Sequence, residues 1–450
     1  MKKRRLPVGY EDFKRIIDEK LYYIDKSMFI LELINDRGSN NLITRPRRFG
    51  KTLNFSMLRY FFDITEKDNA YLFDGLKISE YYNKIEQYRN AYPVITLSLK
   101  GAKQGNYRAA MRRLKSEIQQ QFIDNKFILS CDRIEDENKN EYCRILDLHP
   151  DADWGVAIKL LSVCLKQYYG VNAIILIDEY DVPLEDAYFS GYYDEMVGFI
   201  RSLFESTLKT NPALEFSVIT GCLRVSKESI FTGLNNLEVN TILSPHYSDA
   251  FVYTQQEIDN ILAEYDITDK RDELKRWYDG YLFCETEVYN PWSVINQVKL
   301  WLAKHDAYPV ASWINSSSNS IIRELVNHAD KDTREMIENL MSGGSVEAVL
   351  NETVTYGDLT AKSENIWSFL FFTGYLKLKS SVHIGDETTY SLIIPNVEIR
   401  QCYKHIILEY FNTTIRDADD DKLYEALLSK DTDSAAKQLN DLMKRTMIQQ

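Results

Sequence analysis

Leu42-Ile43-Thr44-Arg45-Pro46-Arg47-Arg48-Phe49-Gly50-Lys51-Thr52 decides how this chain is read. Asn41-Leu42-Ile43-Thr44 is a short run suited to a buried strand, and Thr52 to Phe62 has helical spacing. The residues between them match the phosphate-loop pattern GxxxxGK[ST] in its usual strand-to-helix setting. Gly50, Lys51 and Thr52 fit the pattern, but Arg45 stands where the first glycine belongs. The second glycine is the one that lets backbone N–H groups approach a phosphate. The first mainly shapes the turn, which Pro46 can also do. A helix N-terminus adds partial positive charge. Lys51 is then placed to reach β- and γ-phosphates, and the Thr52 hydroxyl to bind Mg²⁺. The whole loop (Arg45, Pro46, Arg47, Arg48, Phe49, Gly50, Lys51, Thr52) is the expected nucleotide-binding element. Arg47 and Arg48 read equally well as phosphate contacts or as a solvated basic turn.

A second stretch completes the pattern. Ala173-Ile174-Ile175-Leu176-Ile177-Asp178-Glu179 is an apolar run ending in two acids, a Walker B pattern. A strand this apolar is expected at the centre of a parallel sheet, delivering Asp178 to the carboxyl edge where ligands bind. Asp178 is the expected Mg²⁺ residue, and Glu179 the base that polarises the attacking water. Glu215 to Thr220 reads as a third strand. Thr220 is a candidate γ-phosphate sensor between the Walker strands, and Arg224 a candidate transition-state cation. An ordinary ion pair with Glu228 is the plainer reading of Arg224. Asp181 and Glu185 read as surface loop residues.

Outward from these stretches, strands alternate with helices, which indicates βαβ units. Tyr92 to Leu99 is a strand, 105–126 and about 192–209 are helices, and 131–152 is polar and reads as a loop. The expected fold class is α/β: a P-loop parallel sheet with flanking helices, then a mainly helical region with a small winged-helix-like unit. The corresponding division is 1–250, 251–365, 366–400 and 401–450. Helices are expected over 254–278, 319–350 and 401–450, with strands at Tyr375–Lys379 and Tyr390–Ile394.

Composition narrows the function classes. The 450 residues carry a net charge of −13, against non-specific coating of nucleic acid. Residues 1–60 are the exception, with 14 Lys or Arg against 7 Asp or Glu. Six scattered cysteines form no CxxC pair, so neither a disulfide framework nor a zinc site is expected. Met1-Lys-Lys-Arg-Arg5 is followed by no apolar segment, so no signal peptide or membrane span is expected and a cytoplasmic location follows.

Further motifs run along the chain: Tyr23-Ile-Asp-Lys-Ser27, Ile177-Asp-Glu-Tyr180, Thr220-Gly-Cys-Leu-Arg224, Ser229-Ile-Phe-Thr-Gly-Leu-Asn-Asn236, Trp277-Tyr-Asp-Gly-Tyr281, Tyr289-Asn-Pro-Trp-Ser293, Phe372-Thr-Gly-Tyr375 and Ile394-Pro-Asn396. Together with Arg45 to Thr52 they give the chain its resemblance to a bacterial AAA-ATPase-like family whose members often carry a C-terminal restriction-type (PD-(D/E)XK) nuclease domain. The resemblance implies an ATP-binding core followed by a helical segment, and a loop that normally lacks the first glycine. It also implies a nuclease core after a segment like 396–450, which is not expected here. Glu273-Leu274-Lys275 has the letters of a nuclease element but sits in a polar helical stretch.

The resulting expectation is a Mg²⁺-dependent ATPase acting as a switch for an attached or partner effector such as a nuclease. Its alternatives are a nucleotide-binding scaffold without turnover and an ATP-regulated DNA-binding protein. AAA-like sites often need a neighbour's arginine, so a homo-oligomer is also expected.

Overall fold

The computed structural model describes residues 3–224, 230, 231, 234, 236–313, 331–358, 364–385, 387–416 and isolated positions between 431 and 437. Its centre is a five-stranded parallel sheet: β1 (Asn40–Thr44), β2 (Val94–Ser98), β3 (Ala173–Asp178), β4 (Leu214–Gly221) and β5 (Leu237–Asn240), in the order β2-β3-β4-β1-β5. Every residue of β1 and β3 is buried, as strands covered on both faces require. The period of two sorts β3 between the layers. Ile174 and Leu176 pack with Phe61, Phe62 and Phe216 on the side of the helices Met28–Asp36 and Lys51–Phe62. Ile175 and Ile177 pack on the side of Tyr107–Asp124, Ala157–Tyr169 and Tyr193–Phe204. Asn40 and Asn41 are tolerated in β1 because their side chains are satisfied: Asn40 donates to the Leu208 carbonyl at 3.2 Å and accepts from Ser217 Oγ at 2.8 Å, and Asn41 donates to the Ser217 carbonyl at 2.9 Å.

Register brings the chemistry to one edge. Thr44 pairs with Gly221, Ile177 with Ile219 and Ser98 with Asp178, so the strands end together on the carboxyl side. β4 stands between β3 and β1, the position expected for the strand that carries Thr220.

Several local expectations change. Residues 136–146, read as part of a loop, form the helix Asp136–Leu146. Its polar face dominates the composition, but Tyr142 and Ile145 are three apart and buried, which is enough to seat one stripe. Asp136 and Glu137 in its first turn and Arg144 in its last complement the dipole. A helix at Val182–Ser190 follows β3 directly, and β5 extends the sheet. The stretch 254–278 is two helices, Gln255–Glu264 and Arg271–Tyr278, the first opened by a capping box between Thr254 and Glu257. Glu273-Leu274-Lys275 lies on the second, with Leu274 buried, as a helical reading requires.

Beyond the sheet, β6 (Tyr253–Thr254), β7 (Tyr281–Phe283) and β8 (Thr286–Tyr289) form a small antiparallel sheet, followed by the helix Pro291–Ala303. The helix Lys331–Met341 gives way to β9 (Val346–Val349), where a helix to 350 was expected; residues 314–330 lie outside the described ones. Glu364–Phe372 is helical, β10 (Lys377–Ile384) and β11 (Glu387–Ile393) pair with β9 in the order β10-β11-β9, and Val397–Arg416 is helical. Phe49 ties this region to the core, its ring 5.2 Å from Tyr281 and 5.5 Å from Phe283. No helix of the described residues is long and apolar enough to cross a membrane.

Candidate functional site

Gly50 is the N-cap of the helix Lys51–Phe62 and has φ of 75°, a left-handed conformation that glycine adopts without steric cost. Arg48 has φ of 67° and does not share that freedom, so the loop holds strain of about 1 kcal/mol. The first turn of the helix opens onto a cavity of about 440 Å³, lined at this end by Arg47 to Leu53. Lys51 is only 4% exposed. Its ammonium donates to the carbonyls of Arg45 at 3.0 Å and Pro46 at 3.1 Å, folding the side chain back over its own loop.

The loop's arginines have separate jobs. Arg45 does not line the cavity, contrary to its expected place among the phosphate-binding residues. It is fully buried and donates to the carbonyls of Thr44, Asn240 and Tyr247 at 2.8, 3.0 and 2.8 Å. The side chain that replaces the first glycine thus stitches the end of β1 to the end of β5 and to the segment after it. Arg47 lines the cavity and pairs with Glu185. Arg48 lines it too, with its guanidinium 4.6 Å from the Trp292 ring centre. Pro46 lies outside the lining, and Phe49 faces both the cavity and the Tyr281–Phe283 anchor.

Asp178, 5% exposed, gathers two hydroxyls. Thr52 Oγ1 donates to one carboxylate oxygen at 2.7 Å and Thr220 Oγ1 to the other at 2.5 Å. One contact therefore joins the phosphate loop to the end of β3, and the other joins β3 to β4. Glu179 follows with φ of 53°, a strained value for a non-glycine residue, and lines the cavity. Burial raises its carboxyl above the usual range; Lys51 opposes the shift and Asp178 adds to it. Next, the Tyr180 hydroxyl donates to the Leu223 carbonyl at 2.6 Å, and its ring lies where a Cβ on Gly221 would come within 2.5 Å. The Ile177–Tyr180 and Thr220–Arg224 motifs are two halves of one packed edge.

Asp181 and Glu185, expected at the surface, are both 2% exposed. Asp181 accepts from the Cys222 and Leu223 amides at 2.8 and 3.1 Å. Neither is a surface acid: Glu185 lies on the helix Val182–Ser190, and Asp181, its N-cap, is held inward by those two amides. Arg224 does not line the cavity, and Glu228 lies outside the described residues.

The rest of the cavity comes from parts of the sequence that carry no nucleotide motif. Pro7 to Glu11 form a strap along one side, Lys100 and Lys103 enter from beyond β2, and Tyr253 and Trp292 supply aromatic walls. The Tyr289–Ser293 motif explains Trp292. Asn290 caps the helix Pro291–Ala303 by accepting from the Ser293 amide at 3.1 Å and donates to the Arg47 carbonyl at 3.4 Å. Pro291 opens the helix, Trp292 faces the cavity, and Ser293 Oγ donates to Glu398 at 3.0 Å. A lysine just past a strand's carboxyl end was the available signal for Lys100. Nothing in the strap's own sequence marks it.

The model of a family described as predicted AAA-ATPase (AAA-ATPase-like) matches residues 7–231. A protein of Azotobacter chroococcum mcd 1 described as "Uncharacterized protein in vnfD 5'region" is 26% identical over 437 residues, 96% of this chain and 75% of its own length.

Proposed function

Since the chain belongs to the AAA-ATPase-like family, whose function is that of an ATP-binding NTPase, we propose that the cavity at the sheet's carboxyl edge binds Mg-ATP and that the chain hydrolyses it. The observation that carries this reading is the pair of hydroxyls, Thr52 and Thr220, on Asp178. It ties Asp178 and Thr220, which lie outside the cavity lining, to Thr52, which lines the cavity with Lys51 and Glu179.

Each residue then has a chemical task. The N–H groups at the start of the helix Lys51–Phe62 hold phosphate oxygens, with Gly50 leaving room for them. Lys51 leaves the Arg45 and Pro46 carbonyls for the β- and γ-phosphates. Thr52 and Asp178, hydroxyl and carboxylate already in contact, are the residues that fit Mg²⁺. That ion supplies charge neutralisation on the phosphates. Glu179, whose carboxyl is raised above its usual range chiefly by burial, takes the proton from water. Thr220 keeps Asp178 oriented. Trp292 and Tyr253 offer faces for the nucleobase.

The output is a switch. The Arg47 carbonyl is held by Asn290, Phe49 packs on β7, and Gly374 approaches Pro46 so closely that a Cβ there would lie 3.0 Å from the proline Cβ. A shift in the loop on binding phosphate therefore bears on residues 251–416. An attached or partner effector reads that shift, with 1–250 as the ATPase core.

The test is Mg²⁺-dependent phosphate release from ATP by the chain and by Glu179→Gln. The variant is expected to bind ATP normally and to turn over about 10³-fold more slowly. Equal turnover would remove Glu179 from its role. No turnover by the unaltered chain, with ATP bound, would leave a nucleotide-binding scaffold.

A further inference from the structure

Lys100 stands opposite the phosphate loop. Leu99 N–H donates to the Asp178 carbonyl at 3.0 Å, so the chain leaves β2 alongside the end of β3 and places Lys100 beside Glu179. In the order β2-β3-β4-β1, the loop after β1 and Lys100 after β2 flank the acids of β3 from opposite sides. Lys100 lines the same cavity as Lys51 and Glu179, and its charge bears on the Glu179 carboxyl. A phosphate chain that starts on the loop and ends near Glu179 ends near Lys100.

Lys100 has a partner in the strap. Its ammonium lies 3.0 Å from Glu11, and both side chains are more than half exposed, at 54% and 56%. Exposed pairs of this kind contribute little and give way readily. A terminal phosphate carries more charge than a carboxylate and would sit inside the cavity, where screening is weaker. The strap is also tied elsewhere. Just before it, Lys3 pairs with Asp266 at 2.9 Å and Arg4 with Glu264 at 3.2 Å, at the end of the helix Gln255–Glu264.

We propose that Lys100 reads the terminal phosphate of ATP by exchanging Glu11 for it, so that the strap Pro7–Glu11 reports whether that phosphate is present. The proposal rests on the nucleotide reading above and adds to it a second cation and a sensor. It gives the chain a cation of its own at the γ-position, from a place that the Arg224 expectation did not consider. It also gives ATP and ADP different effects on the strap, and through it on residues 255–266.

Binding of ADP and of a non-hydrolysable ATP analogue, each with Mg²⁺, is measured by titration calorimetry for the unaltered chain, Lys100→Met and Glu11→Gln. Lys100→Met is expected to lose about 10- to 100-fold in analogue affinity, as for a lost hydrogen bond to a charged group, with ADP affinity unchanged within about twofold. Glu11→Gln, which removes the competitor, is expected to tighten the analogue about two- to fivefold and to leave ADP alone. Opposite signs from two exposed positions are not a folding effect. An unchanged ratio of analogue to ADP affinity in Lys100→Met overturns the proposal. So does an equal loss for both nucleotides, the mark of general electrostatics. If the unaltered chain binds neither nucleotide, the nucleotide reading itself fails, a result distinct from binding with an unaltered ratio.

Discussion

The two ends of the cavity are built on different principles. The phosphate end is made of strand ends and one helix N-terminus, held by short buried hydrogen bonds among Thr52, Asp178 and Thr220. The wall that faces the loop is made of a strap, an exposed Lys100–Glu11 pair and two aromatic side chains from β6 and the helix Pro291–Ala303. The first is held by polar groups that satisfy one another, largely away from water. The second is held by contacts that are individually weak. A nucleotide anchored at the first and sensed at the second is what this contrast allows.

Breaking the hidden support of the loop should have the largest effect on stability. Arg45→Met leaves the carbonyls of Asn240 and Tyr247 without their buried donor, and is expected to cost about 3 kcal/mol of stability. The urea midpoint reads this loss. Nucleotide affinity of the folded fraction should move less than about threefold, since Arg45 does not line the cavity. A large affinity loss at unchanged stability would return Arg45 to the phosphate site.

At the other end, Trp292→Ala removes an aromatic wall and the partner of Arg48. Base–aromatic stacking is worth about 1–3 kcal/mol, so ATP should bind about 10-fold more weakly, with Trp292→Phe restoring most of it. Inorganic triphosphate, which has no base, should be affected little. Equal losses for ATP and triphosphate would place the base elsewhere.

A pH-dependent effect lies behind Trp292. Glu398 is fully buried, accepts from Ser293 Oγ at 3.0 Å and from the Trp313 amide at 2.9 Å, and has its carboxyl pushed up to about 7, chiefly by burial. In the unfolded chain the same carboxyl titrates near the ordinary value of about 4.3. Between these values the folded state binds the extra proton, so stability falls as pH rises from about 4.3 to about 7 and is level above that. Glu398→Gln should therefore gain on the unaltered chain as pH rises from about 5 to about 8, by about 2–3 kcal/mol. A constant difference across this range would show that Glu398 does not titrate there.

The same contrast explains what the sequence made legible. β1 and β3 are short apolar runs ending in Gly-Lys-Thr and Asp-Glu, and a strand fully buried on both faces has few other ways to be written. The strand ends and the place of Thr220 between the two strands could be read from them. Arg45 was misassigned because its partners are backbone carbonyls from Asn240 and Tyr247, and carbonyls have no signature in a sequence. Asp181 and Glu185 were misread for a related reason: only the turn of the helix Val182–Ser190 decides which way they face. The strap could not be read, and Lys100 only as a lysine past a strand's carboxyl end, because they meet the loop only across the fold. Trp292 was visible within the Tyr289–Ser293 motif, but not what it faced. The helix Asp136–Leu146 was hidden by its charge, since two buried residues sufficed to seat it.

The most direct test of the account is a titration of Mg-ATP into the unaltered chain and Lys51→Ala, with folding checked by circular dichroism. Lys51 is held by two loop carbonyls and lines the cavity, so the account predicts saturable binding by the chain and a loss of at least about 100-fold in the variant. ATP binding of equal strength in both would contradict the phosphate site at its centre.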